Sequence, residues 1–171
     1  MKLQDVFDLV SLIEENISKE EFIDLYNIIE DDFSYYHIPL VCEETWSHYP
    51  KVYFKEFKNN PIRIVSCENP KWKITYEYII TKDKNPLGKV VYHYQPQRKD
   101  FLSDDSEYND SYKKALAFGI LSEYCISKGD YEQAACWNNK YKSLAKSIYT
   151  EVINYEDWLF WWKLRIFKQL L

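Results

Sequence analysis

Glycine is almost missing from this sequence: three residues in 171. A phosphate-cradling loop needs several, and no P-loop, dinucleotide glycine pattern or G-x-S-x-G elbow is present. The four cysteines, Cys42, Cys67, Cys125 and Cys136, are scattered without a C-x-x-C pair. They read as reduced intracellular thiols, neither a disulfide frame nor a zinc site. His37, His48 and His93 are far apart and show no metal-ligand spacing such as H-E-x-x-H. No apolar stretch approaches the roughly 20 residues that span a bilayer, and no basic leader precedes an apolar run, so no signal peptide is expected. A basic excess is lacking as well. The net charge of −5 argues against a dedicated nucleic-acid grip. The acidic pairs Glu43-Glu44 and Asp104-Asp105 read as solvated loops, and no set of residues meets the geometric requirements of a catalytic site. The expectation is a non-enzymatic protein with no catalytic residues, no metal and no cofactor, made in a cytoplasm.

What is abundant is aromatic: 18% of the chain, with 16 tyrosines. Tyrosine has a large apolar body and one wet end, which suits protein interfaces as well as cores. At 46% hydrophobic and 29% charged residues the composition is globular, and the length fits a single domain over 1–171.

The expected fold is α+β and mainly helical. KLQDVFDLVSLIEENI sets Leu3, Val6, Phe7, Val10 and Ile13 at helical spacing. Ser18 and Glu21 form a capping box that opens a second helix, with Phe22, Leu25, Tyr26 and Ile29 on one face. That helix should fail before Pro39, so the N-terminal helices fill 1–40. A small antiparallel β insertion of about three strands is expected over 61–96: PIRIV, WKITYEYII and KVVYHYQ. WKITYEYII alternates as one continuous strand, and His93 reads as a solvent-facing strand histidine. After the acidic loop FLSDDSEYND a helical hairpin is expected over 107–150. Lys128-Gly129 stops its first helix, and Asp130 with Gln133 caps its second. Ala115, Gly119 and Ser122 form a small-residue strip that Ala134 and Ala135 could meet, and Cys125 and Cys136 are set on facing sides. A helical tail over 155–171 completes the architecture.

The hairpin segment YKKALAFGILSEYCISKGDYEQAACWNNKYKSLAKSI resembles the C-terminal helical hairpin of bacteriophage head-to-tail connector proteins, the adaptors beneath the portal. The resemblance rests on Ala115, Ala117, Gly119, Ser122, Glu123 and Tyr124, on the Gly129-Asp130-Tyr131 turn, and on Gln133, Ala134, Ala135, Trp137, Lys140, Tyr141 and Leu144. Val91-Tyr92-His93-Tyr94-Gln95-Pro96 and the acidic loop fit the preceding β insertion. The likeness covers 61–148, and the Lys/Asn/Tyr-rich composition is compatible with a ring protein of a crAss-like phage. It implies a structural virion protein at the head-tail junction. Such a protein forms a homo-oligomeric ring, typically of about twelve copies, bound to the portal and to the tail or further ring proteins. DNA would pass through its channel, during ejection, without specific binding. The alternative is a tetratricopeptide-like interaction hairpin, which Gly129 to Ala134 also suit; such repeats need about three stacked copies and only one is present.

The segment from Trp158 to Leu171, WLFWWKLRIFKQLL, holds three tryptophans and two phenylalanines. Read as a helix, its apolar arc is broader than one core face needs. It carries too few basic residues for a membrane-surface helix. In the connector family the C-terminal segment engages the portal. Trp158, Phe160, Trp161, Trp162, Leu164, Phe167 and Leu171 are therefore the expected residues for binding the portal or a neighbouring subunit, with burial in the chain's own core as the alternative.

Overall fold

The computed structural model describes residues 1–149. The chain forms two compact units: Met1–Phe33 together with the chain from Arg98 onward, and Ser34–Gln97.

The helical unit contains α1 (Leu3–Ser11), most of α2 (Lys19–Tyr36) and α3 (Lys113–Ser127). A fourth helix, α4, covers 131–149 of the described residues. α1 buries Leu3, Val6 and Val10, one stripe at helical spacing, and ends before Ile13, which is partly exposed. Ser18 opens α2 by accepting from the Glu21 amide at 3.1 Å. The Glu21 carboxylate takes the Lys128 ammonium at 2.9 Å. α2 then buries Phe22, Tyr26, Ile29, Glu30 and Phe33. α3 is apolar nearly all round, with nine of its fifteen residues buried, as expected of a central helix. It closes with both bonds of a Schellman motif: the Asp130 amide donates to the Cys125 carbonyl at 2.9 Å and the Gly129 amide to that of Ile126 at 3.0 Å. Gly129 takes the left-handed conformation this requires, φ 80°. Asp130 then caps α4, accepting from the Gln133 amide at 3.0 Å.

Between the two units' boundary and α3, residues 98–112 form a strap with little regular structure. It is sewn to the N-terminal segment by Leu3 N–H to Asp104 O (3.1 Å), Gln4 N–H to Leu102 O (3.0 Å) and Ser106 N–H to Met1 O (2.9 Å). The Asp104 carboxylate turns the strap by accepting from the amides of Asp100 and Phe101 at 2.9 and 3.0 Å, and these bonds hold its pKa below the ordinary carboxylate value.

The expectation of one three-stranded β insertion is corrected. The second unit has six strands in two three-stranded antiparallel sheets: β1 (Leu40–Trp46), β2 (Lys51–Tyr53), β3 (Pro61–Cys67), β4 (Trp72–Ile74), β5 (Tyr78–Thr81) and β6 (Gly88–Tyr94). One sheet has the order β1-β6-β3 and the other β2-β5-β4. β1 runs through the acidic pair, so Glu43-Glu44 is strand rather than loop. Glu43 faces out to Lys89 at 2.8 Å. Glu44, on the opposite face, accepts from the Tyr92 hydroxyl and from the Lys58 amide at 2.9 Å. WKITYEYII also breaks in two. Thr75 pins a turn, its hydroxyl accepting from the Tyr78 amide at 3.2 Å and donating to the Tyr78 carbonyl at 2.9 Å. β4 thereby folds back on β5, with Ile74 opposite Ile79. The core of this unit joins Val52, Ile79 and Leu87 to Phe57, Val90 and Tyr92, and the Phe57 and Tyr92 rings meet edge-on at 4.9 Å. The helical tail expected over 155–171 lies outside the described residues.

Candidate interaction surfaces

The hairpin residues that carry the resemblance serve first to bring helices close together. The Ser122 hydroxyl donates to the Ala134 carbonyl at 3.1 Å in a buried α3–α4 contact. Ala115 and Ala134 are buried. Gly119 faces α2: a Cβ there would lie 2.8 Å from Cγ2 of Ile29. Two expectations are corrected. Ala135 is exposed, one helical step round from Ala134, and Cys136 is exposed while Cys125 is buried. Consecutive helix residues differ by 100°, so with Ala134 turned to α3 its neighbour Ala135 is carried away from the contact, and Cys136, two steps on, is carried further still.

A groove of about 260 Å³ lies along α2, α3 and α4, lined by Ile28, Asp32, Gly119, Ser122, Asn138 and Tyr141 among others. The buried Tyr141 hydroxyl donates to Asp32 at 2.7 Å. Burial first, then the hydrogen bond to Asp32 and its charge, keeps this phenol protonated well above its ordinary range. On α3 and α4, Phe118 and Trp137 stack at 5.3 Å, with the Lys140 ammonium 4.0 Å from the indole centroid. The Trp137 indole N–H is buried without an acceptor among the described residues.

Sequence reasoning missed a buried polar hub on α2. Glu30 is 1% exposed. Its Oε1 accepts from the hydroxyls of Tyr26 and Ser106, both at 2.9 Å, and from the Glu107 amide at 3.1 Å. Among the described residues its Oε2 has no hydrogen-bond donor, and it faces the buried Lys99 ammonium at 3.9 Å. Lys99 also donates to Glu107 at 3.3 Å. Desolvation raises the Glu30 pKa against the opposing pull of Lys99. The same burial raises Tyr26. Asn27 completes the tie, donating to the Lys99 carbonyl at 2.9 Å and accepting from its amide at 2.8 Å. A signal existed in the sequence: Tyr26, Glu30 and Phe33 share one helical face, which puts an acid among core residues.

In the second unit, the outer side of the β2-β5-β4 sheet carries a lysine and tyrosine face. Lys51 and Tyr53 stand opposite Ile80 and Tyr78, and Lys73 follows across β5. The Lys51 ammonium donates to the Tyr53 hydroxyl at 2.8 Å and sits 3.8 Å from the Tyr78 ring centroid. That hydrogen bond raises the lysine pKa. Tyr76, at the β4–β5 turn, is 97% exposed, and Ile74 beside it is 49% exposed. His93 lies on the other sheet opposite Arg63; partial burial, then the Arg63 charge, lowers its pKa.

The expected portal-binding residues, Trp158, Phe160, Trp161, Trp162, Leu164, Phe167 and Leu171, all lie outside the described residues. Among the described residues, no group of three or more His, Cys, Asp or Glu is placed to hold a metal ion, and no helix is long and apolar enough to cross a membrane. What these features offer is contact surface: exposed rings, fixed charges and a polar groove. Compared with known proteins, the chain matches no family model and no curated sequence.

Proposed function

We propose that this chain is a structural subunit of a phage head-to-tail connector, assembling as a ring beneath the portal and extending the DNA channel towards the tail. The observation that carries this reading is the α3–α4 hairpin. Among its motif residues, Ser122 bonds the Ala134 carbonyl across the hairpin, Gly119 lets α2 approach α3, and Ala115 and Ala134 are buried. A rigid hairpin of this kind serves as a ring body, while a separately packed β unit is free to meet a neighbour or the tail. A closed ring needs heterologous contacts, two different lateral surfaces on each copy. The exposed aromatics, Tyr35, Tyr76, Phe101 and Tyr131 among them, supply material for such surfaces. Trp158 to Leu171 is assigned to the portal, where its tryptophans would act as anchors.

The test mixes purified protein with the portal protein encoded in the same genome and images the product by negative-stain microscopy. Rings coaxial with the portal are expected. A stable monomer that never binds portal defeats the reading. Deleting 156–171 separates the tail's two roles: a folded protein that no longer binds portal marks a docking segment, and a protein that no longer folds marks a core segment.

A further inference from the structure

The net charge of −5 hides a sharp division. Residues 1–33 carry ten acids and two bases, whereas the β unit, 34–97, carries nine bases and six acids. Several of the N-terminal acids are free: Asp5, Glu15 and Glu20 are exposed and make no ion pair among the described residues. At the corner between α1 and α2, close in sequence to Glu15 and Glu20, Leu12 is 81% exposed and Ile13 is 39% exposed. The corner thus exposes two apolar side chains within a few residues of Glu15 and Glu20, with Lys19 the one base in that stretch. The β2-β5-β4 face is its counterpart, with Lys51, Lys55 and Lys73 around Tyr53, Tyr78 and Ile80, and with Tyr76 exposed at the adjoining turn. Two acids border that face. Glu56 is engaged, accepting from the Tyr53 amide at 2.7 Å, and Glu77 at the turn leaves the lysines in excess.

We infer that the lysine and tyrosine face of one copy docks on the acidic α1–α2 corner of the next, a head-to-tail contact between copies of this chain. Charge complementarity selects a second copy as the occupant, because the chain itself supplies the opposite surface. Nucleic acid fits less well: the Lys51 ammonium already covers the Tyr78 ring on which a base would stack. A contact built from exposed charges around a small apolar centre is screened by salt, and its two unlike surfaces propagate rather than closing as a pair. The inference rests on the ring reading above for its biological setting, while self-association itself is tested without a portal.

The test uses two full-length charge-reversed variants. One carries Lys55→Glu and Lys73→Glu, and the other Glu15→Lys and Glu20→Lys. All four positions are exposed, and circular dichroism checks that both variants remain folded. Sedimentation at low salt should show large assemblies of the wild-type chain that dissociate at high salt. Each variant alone should be monomeric, and an equimolar mixture should reassemble, since each supplies the surface the other has reversed. Assemblies that survive both reversals overturn this contact and leave the ring reading standing. A wild-type chain that stays monomeric at every salt and concentration overturns the contact; the portal experiment judges the ring reading separately. A monomer that binds a labelled oligonucleotide through Lys55 and Lys73 overturns it in favour of nucleic acid.

Discussion

Two glycines show how one residue type is required for opposite reasons. Gly119 has an ordinary helical backbone but no room, since a methyl group there would press on Ile29. Gly129 has open space around it but needs the left-handed conformation at φ 80°. Gly119→Ala gains about 1 kcal/mol of helix propensity and loses about 1–3 kcal/mol to overpacking. Net destabilisation is expected, and it should shrink when Ile29→Ala is added, a non-additivity that a double-mutant cycle in urea detects. Gly129→Ala should cost about 1 kcal/mol from backbone strain alone, and no neighbouring substitution should relieve it. If Ile29→Ala leaves the Gly119→Ala cost unchanged, the close approach of α2 and α3 is wrong.

At the scale of elements, the helices were largely legible and the sheets were not. Ser18, Gly129 and Asp130 mark their boundaries by local chemistry that acts within a few residues, so sequence alone placed them well. β1 was hidden because its inward Glu44 looks like a loop residue until Tyr92 and the Lys58 amide are brought to it by long-range pairing. The β4–β5 break was hidden because uninterrupted alternation is also what a hairpin shows on both sides of its turn, and the Thr75 bonds that decide it are visible only in three dimensions. The strap was legible only as an acidic loop; what orders it is its bonding to the N-terminal segment, the Asp104 turn and the Glu30–Lys99 hub. That hub gives a pH signature. Glu30 has its pKa raised in the fold above the ordinary 4.5. The folded state therefore holds this proton more tightly than the unfolded chain, and the associated stability is full below about 4.5 and is lost as pH rises through the folded value. Glu30→Gln keeps an acceptor for Tyr26, Ser106 and the Glu107 amide but cannot titrate. Its cost relative to wild type should be greatest at acidic pH and diminish as pH rises, read from urea melts across the range. A cost that grows with pH would mean that the Lys99 attraction outweighs desolvation and that Glu30 is ionised throughout.

At the scale of the whole molecule, the β unit behaves topologically as an insertion whose ends meet. Leu40 at the start of β1 stands opposite Tyr94 at the end of β6, so the chain leaves and returns at one point. The unit also has its own core, in which Val52, Ile79, Leu87, Val90 and Tyr92 are almost fully buried. A segment of this length lies near the lower limit for independent folding, since small domains bury only about 60% of their unfolded surface. Excised as 34–97, it should fold with one cooperative transition of modest amplitude, followed through the fluorescence of Trp46 and Trp72. Conversely, replacing 40–94 with a short Gly/Ser linker should leave the helical unit folded, because the strap, the Glu30 hub and the hairpin are all built within it. The helical circular dichroism per remaining residue should rise in that variant. Its thermal transition should be single, and it should lose self-association with the face that Lys55 and Lys73 provide. A helical unit that melts without the insertion would mean that the two units fold as one, and the division of labour between ring body and docking face would fail with it.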